Sequence, residues 1–259
     1  MSVHIIVCIK SVVKEAPKGV AKRTPENSEL NPFDRPALEA ALQLKERMGG
    51  SVTVLTMGPA VSMEALAEAR AMGVDEAVLI SDRMLAQSDT LVTSKVLAAA
   101  IDKLGAFDLL FFGTRTSDSD TGQVGPQTAA LLNIAFVSRI KEISLKDGRW
   151  EIQRTMDAWQ ESWQIDPPAA ATIEPRAFSP RPVGLAGICQ VYDQPDIRQW
   201  SLADLRMSAP EVGLAGSPTR VAALEKIKRS RKCDMLEGEP QAQVENLIAR
   251  LNREGAIGQ

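Results

Sequence analysis

Strand and helix alternate along the first half of this chain. That alternation predicts an α/β protein with a doubly wound, mostly parallel sheet. Three observations carry the prediction. The segments at 3–9, 52–57, 77–80 and 107–112 are short and continuously apolar, as strands covered on both faces are. Between them lie stretches of helical length whose apolar residues recur at three- and four-residue spacing. Gly or Gly-Pro marks several of the junctions.

Val3-His-Ile-Ile-Val-Cys-Ile-Lys10 is the first strand, followed by a polar loop with Pro17, Gly19 and Pro25. Asn31-Pro-Phe-Asp34 leads into a helix with Leu38, Ala41, Leu42 and Met48 on one face, stopped by Gly49-Gly50. Val52-Thr-Val-Leu-Thr-Met57 is the second strand, and Gly58-Pro59 turns the chain into a helix carrying Met63, Leu66, Ala67 and Ala71, ended by Gly73. Ala77-Val-Leu-Ile80 is the third strand. Asp89 is placed to cap the next helix, whose apolar face includes Val92, Val96, Ala99 and Leu104. Residues 107–112 are the fourth strand, and residues 127–132 read as a helix with Pro126 in its first turn.

Past 134–137 the texture changes. Residues 139–145, 149–155 and 161–165 read as short strands with Asp147-Gly148 as a hairpin turn, and 169–174 is expected to return to the main sheet. From Pro175 onward Pro and Gly are dense, so an extended arm is expected over roughly 180–220. A last helix over 241–253 carries Val244, Leu247, Ile248 and Leu251 on one side. The expected division is an α/β domain at 1–178, with a small antiparallel extension at 139–166, and a second part at 179–259.

Composition narrows the function. With 44% hydrophobic and 24% charged residues in 259, the chain can bury a full core. A net charge of −3 gives no general attraction to nucleic acid or anionic membrane, and 4% aromatics offers no base-stacking surface. The three cysteines, Cys8, Cys189 and Cys233, have no short pairing, which points to a reducing compartment and away from disulfides or a metal site. No apolar run approaches the ~20 residues that cross a bilayer. The expectation is a cytoplasmic protein that binds no nucleic acid and inserts in no membrane. His4, the one histidine, reads as a strand-edge side chain, and no catalytic acid–base pair is found.

The stretch Gly113-Thr-Arg-Thr-Ser-Asp-Ser-Asp-Thr-Gly-Gln-Val-Gly-Pro126 lies between a buried strand and a helix. Backbone N–H groups around Thr121 to Gly125, the side chains of Thr121 and Gln123, and the positive end of the helix dipole suit a phosphate. The loop lacks the lysine and spacing of a Walker loop and does not match G-x-G-x-x-G. A plain strand-to-helix connection therefore stays open beside the phosphate cradle. Asp118 and Asp120 would repel a phosphate directly; they suit capping of backbone N–H groups or ribose hydroxyls. In a doubly wound sheet this loop, residues 8–10 and Met57-Gly-Pro59 all fall at the carboxyl ends of strands, where ligands bind.

Asn31-Pro-Phe-Asp34, Met57-Gly58-Pro59, Ala71-Met-Gly-Val-Asp75, the loop from Asp118 to Pro126 and Glu174-Pro-Arg176 resemble the β subunit of electron-transfer flavoproteins, a family that includes nitrogen-fixation-associated subunits. The order and spacing hold across nearly the whole chain. The resemblance implies an adenine nucleotide alpha hydrolase-like fold and an α subunit partner that holds most of the electron-transferring FAD. It further implies electrons from an acyl-CoA dehydrogenase or a similar redox partner, and a second adenine nucleotide in this subunit. That nucleotide is AMP in respiratory members and a second FAD in bifurcating members, which take a hydride from NADH. By position its contacts are Cys8, Asn31, Pro32, Phe33, Asp34, Met57 and the stretch from Thr116 through Asp118, Asp120, Thr121, Gly122, Gln123, Val124 and Gly125 to Pro126. The Asp120-Thr-Gly-Gln-Val-Gly-Pro126 run, Ser81-Asp-Arg, the 88–94 segment and the extension past Lys226 resemble the anaerobe and bifurcating branch, so FAD is expected over AMP. The alternative is a non-redox adenine-nucleotide sensor of the universal-stress type.

Residues 180–188 resemble the family's recognition loop, which implies that Leu185 anchors on a partner dehydrogenase; from the residues alone, packing of Leu185 against its own subunit stays open. Respiratory members follow this loop with lysines; here Cys189-Gln-Val-Tyr-Asp-Gln-Pro-Asp-Ile197 has two acids and no base, so the partner is expected to differ. Trp150, Trp159, Trp163 and Trp200 are expected in core or α-subunit interface. The basic run Lys226, Lys228, Arg229, Arg231, Lys232 reads as a solvated face.

Overall fold

The computed structural model describes residues 2–14, 24–193, 196–223 and 233–257. The expected loop positions Pro17 and Gly19, and the basic run 226–232, lie outside the described residues. The chain forms two compact units, Met1–Ala222 and Ala223–Gln259.

The first unit is built on a nine-stranded sheet of order β11-β5-β4-β1-β6-β10-β7-β8-β9. β1 (Val3–Cys8), β4 (Gly50–Met57), β5 (Glu76–Ile80), β6 (Leu109–Gly113) and β10 (Ala169–Ile173) run parallel, with β1 central. Alternation along β1 explains the two layers. Ile5 and Val7 face a core with Leu38 and Leu42 of α1 (Arg35–Met48) and Leu66 of α2 (Met63–Ala71). Ile6 and Cys8 face a second core with Val92 and Val96 of α3 (Thr90–Leu104) and Ala129 of α4 (Val124–Leu131). Each fully buried aliphatic contributes about 1.5–3 kcal/mol, so the sheet is held from both faces.

The expected punctuation is found where geometry requires it. Gly50 has φ +123°, and a Cβ there would fall 1.9 Å from the Val3 carbonyl oxygen, so the close passage of β4 beside β1 needs glycine. Asp89 caps α3, accepting from Val92 N–H at 3.0 Å. Asp147 and Gly148 both have positive φ, 52° and 79°, as a tight hairpin turn demands.

The antiparallel ladders span Ile140 to Ile165, and the first strand of the extension begins earlier than expected, at Ala135. β7 (Ala135–Lys146) pairs in parallel with β10 over its first half, then antiparallel with β8 (Arg149–Met156), which pairs with β9 (Trp159–Ile165). One strand serves two ladders, with Arg139 at φ +56° near the changeover. A separate two-stranded ladder joins β2 (Ser11–Val13) to β3 (Ser28–Leu30).

The stretch after Pro180 holds more regular structure than its Pro and Gly content predicts. β11 (Ile197–Trp200) adds in parallel to the outer edge of β5, covering backbone groups an edge strand leaves unpaired. α5 (Leu185–Asp193) begins at the residue expected on a loop, and Gly187 lets it approach α2: a Cβ there would lie 2.1 Å from the Ala71 carbonyl oxygen. Ahead of α5, Arg181 grips α1, donating to Glu39 at 2.8 Å and Glu46 at 2.5 Å. A single turn, α6 (Gly213–Gly216), follows. In the second unit α7 (Pro240–Arg253) exposes Val244, Leu247 and Ile248.

Candidate functional site

From β1 the sheet grows to one side through β4 and β5, and the chain then returns to place β6 on the other side of β1. Connections therefore diverge between β1 and β6, and the crevice outside their carboxyl ends is where such sheets bind ligands. Cys8, the last residue of β1, is in register with Leu55 of β4 and Phe112 of β6.

The segment Asn31–Asp34 closes one wall. Asn31 is fully buried; its side-chain amide donates to the Arg115 carbonyl at 2.9 Å and its side-chain oxygen accepts from Ser117 N–H at 3.3 Å. It thereby ties the start of α1 to the loop after β6. Asp34 is buried too and accepts from Lys10 N–H at 2.8 Å. Its other oxygen lies against Gly113: a Cβ at Gly113 would sit 2.2 Å from it and 2.6 Å from the Phe33 carbonyl oxygen. Burial pushes the Asp34 carboxyl up to about 7, against hydrogen bonds from the Lys10 amide and Asn31 and the Lys10 charge. Phe33 lies under the Arg115 guanidinium at 4.5 Å, and Pro32 is exposed.

Cys8 is buried in the face beneath the crevice. Burial first, and the Asp34 charge second, raise its thiol far above the ordinary range, so it is a neutral packing group. Met57 ends the neighbouring strand and packs on the same core. Thr56 beside it donates its hydroxyl to the Ile9 carbonyl at 2.8 Å, holding the ends of β4 and β1 together.

The loop from Thr114 forms the other wall. Thr116 and Ser119 share a hydroxyl hydrogen bond at 2.8 Å. Asp120 and Gly122 adopt positive φ, 53° and 62°. The backbone N–H groups of Thr121, Gly122, Gln123, Val124 and Gly125 have no hydrogen-bond partner among the described residues, and Pro126 has no N–H. The loop enters α4 with no side-chain cap. Its position is set from α3: Thr90 donates to the Gln123 side-chain oxygen at 3.0 Å, and the buried Ser94 hydroxyl lies 3.3 Å from the Val124 carbonyl. Among the described residues these are five unpaired donors at a helix start, a kind of group that can donate to an anionic oxygen.

The two acids expected to complicate that cradle are neutralised by cations the sequence left unassigned. Lys10 donates to Asp118 at 2.7 Å and to the Ser119 hydroxyl at 3.3 Å. Arg115 pairs with Asp120 at 3.6 Å. Structure thus brings together Cys8, Asn31, Phe33, Asp34 and the 116–126 loop, with Met57 one strand away. It gives Lys10 and Arg115, both inside segments expected at this edge, their partners Asp118 and Asp120. Lys10 had one signal in the sequence, a cation just past a buried strand.

Elsewhere, His4 lies at the amino end of β1, where it was expected. Its ring contacts the Ala106 carbonyl and the Thr53 hydroxyl, both at 2.9 Å, which fixes it as a structural bridge. Trp150 is core, while Trp159 and Trp163 are exposed on β9 and Trp200 is half-buried. Leu185 is 77% exposed and Ile188 51%, one turn apart on α5. No described helix is long and apolar enough to cross a membrane.

The family model for the electron transfer flavoprotein domain matches residues 18–201. The chain is 36% identical over 228 residues to the electron transfer flavoprotein subunit beta of Thermoanaerobacterium thermosaccharolyticum, covering 88% of this chain and 87% of that one. It is 40% identical over 225 residues to the caffeyl-CoA reductase-Etf complex subunit CarD of Acetobacterium woodii, covering 84% and 86%. It is 35% identical over 263 residues to protein FixA of Azorhizobium caulinodans, covering 96% and 93%. These matches favour the electron-transfer expectation over a non-redox sensor. The chain belongs to the electron transfer flavoprotein family and is of its β-subunit type.

Proposed function

We propose that this chain pairs with an α subunit to carry electrons through FAD, and that its own crevice holds the adenylate of a second nucleotide. The observation that supports the crevice is the run of five unpaired amides from Thr121 to Gly125, beside two neutralised carboxylates. The residues fit such a group. Gly113 keeps the floor open, and the positive φ of Gly122 bends the loop so that successive N–H groups lie near one another. Thr116, Asp118, Asp120, Thr121 and Gln123 line the rim, Asn31, Phe33 and Asp34 form one wall, and Cys8, Met57, Val124 and Pro126 set the base. AMP would only hold these loops together; FAD supplies a flavin that accepts and releases electrons, its potential tuned by nearby charge and hydrogen bonds. The nucleotide is assigned as FAD, consistent with relatives such as the Acetobacterium woodii subunit, whose name places it in a caffeyl-CoA reductase-Etf complex.

In the same proposal α5 docks an acyl-CoA dehydrogenase or a related reductase, with Leu185 and Ile188 as a small apolar anchor. The exposed Trp159 and Trp163 suit the α-subunit interface. The test is a nucleotide count. Acid extraction of the copurified αβ pair should release two FAD. One FAD with one AMP would reject electron bifurcation and keep the adenylate site; one FAD and nothing else would sink the crevice assignment.

A further inference from the structure

We propose that Arg181 is a positioning residue for partner docking: its grip on α1 holds the α5 helix still, so that Leu185 and Ile188 are presented as a preset pair. The inference rests on the docking role of α5 stated above and deepens it.

α5 does little to hold itself in place. It is nine residues long, below the length at which a helix persists alone in water, and Gly187 in its third position lowers its propensity further. None of its described side chains is buried, and Leu185 and Ile188 are exposed. Its order therefore comes from what is tied down around it. On the exit side β11 lies on β5, with Ile197 in register with Ala77. Beneath it Gly187 runs close over the Ala71 carbonyl at the end of α2. On the entry side the tether is Arg181.

That tether is dense. Arg181 donates to Glu39 from its backbone N–H at 3.1 Å, from Nε at 2.8 Å and from Nη2 at 3.1 Å. It donates to Glu46 from Nη1 at 2.5 Å and from Nη2 at 3.1 Å. The two glutamates lie two turns apart on one face of α1, and Glu39 is buried. One flat guanidinium bridges both carboxylates, a geometry that the point charge of a lysine does not supply. The grip passes along a short, stiff path. Pro180 and Pro182, on either side of Arg181, have fixed φ, and Val183 packs on the core. The Gly184 carbonyl then accepts from Ile188 N–H at 3.1 Å, in the first turn of α5. A helix held in this way spares a partner the cost of ordering Leu185 and Ile188 on binding.

The test uses the αβ pair, with an acyl-CoA dehydrogenase reduced by its acyl-CoA as the probe. Stopped-flow reduction of the flavin at varied dehydrogenase concentration separates docking from transfer. Arg181→Ala should raise the half-saturating dehydrogenase concentration about tenfold and leave the limiting rate unchanged. A loss of stability alone would move neither value in the folded protein. Hydrogen exchange at the α5 amides should speed up about tenfold as well. Glu46→Gln, at an exposed side chain, should shift both readouts the same way by about threefold. Adding it to Arg181→Ala should change nothing further, and it carries the test alone if Arg181→Ala fails to fold. Effects that add would mean that Arg181 touches the dehydrogenase itself, which overturns the positioning role. So would parental α5 exchange in both variants. Parental kinetics in both variants, beside slowed exchange with Leu185→Ala, overturns the positioning role and leaves the docking reading standing. Parental kinetics with Leu185→Ala, or no reduction of the unmodified pair, overturns the docking reading and this inference with it.

Discussion

Gly113→Ala is the smallest change that probes the crevice floor. The added methyl would lie 2.2 Å from the Asp34 carboxylate and 2.6 Å from the Phe33 backbone oxygen, where ordinary contact begins at 3.4 Å. The side chain of Asp34 cannot swing away, because its second oxygen holds the Lys10 amide at 2.8 Å. The backbone of Phe33 cannot move alone either, since Asn31 and Asp34 on both sides of it are buried and bonded. Relief therefore requires the wall and floor to part by about 1 Å, an overpacking cost of about 2–3 kcal/mol. For a chain of this size that lowers the Tm by about 4–12 °C. The assay is thermal unfolding of the αβ pair by circular dichroism, with nucleotide retained after gel filtration as a second readout. Both should fall. Gly184→Ala is the control: its Cβ would meet nothing within 4 Å, so it should stay within about 0.5 kcal/mol of the parent. A Gly113→Ala protein with parental Tm and full nucleotide content would refute the packing derived for the floor.

Lys10→Ala should change stability by less than about 1 kcal/mol, because its pair with Asp118 is partly exposed; nucleotide affinity should nonetheless drop, as the proposed site loses one positive charge, and unchanged affinity would remove Lys10 from the site. Arg181→Ala leaves the buried Glu39 without its guanidinium and should cost about 1.5–3 kcal/mol at neutral pH. Burial pushes the Glu39 carboxyl up, but hydrogen bonds from Arg181 and Gln43 outweigh it, so the carboxyl lies below its ordinary 4.5 when folded. A lowered folded value gives stability that is present above pH 4.5 and lost as pH falls through it, so the Tm gap between parent and Arg181→Ala should shrink below pH 4.5; a gap independent of pH would contradict the pairing. Leu185→Ala should slow electron exchange with the proposed redox partner about tenfold or more, as loss of a central apolar anchor does, and leave flavin content unchanged; unaltered stopped-flow kinetics would remove Leu185 from the proposed docking surface.

Much of this architecture could be read from the residues, because strands covered on both faces write themselves as apolar runs. β1, β4, β5, β6 and β10 fall within a residue or two of their expected bounds. So do the Asp89 cap and the Asp147-Gly148 turn, whose chemistry is local. β11 carries no such signature for a physical reason: its four residues have no alternation of their own, and it becomes a strand through the open edge of β5. α5 is hidden in the same way, since glycine at 187 reads as a helix breaker until Ala71 is seen against it. At the candidate site the loop and the 31–34 segment were legible as turn chemistry and by resemblance. Lys10 and Arg115 were not, because which exposed cation meets which loop acid depends on the fold that brings β1 beside β6.

The account stands or falls on what lies against the backbone between Thr121 and Gly125. A high-resolution map of the αβ complex measures that directly. Phosphate oxygens within hydrogen-bonding distance of those amide nitrogens, with Asp34 beneath and Asn31 alongside, is the predicted result. Solvent or a protein side chain on the same amides, with the subunit's nucleotide bound somewhere else, would contradict it.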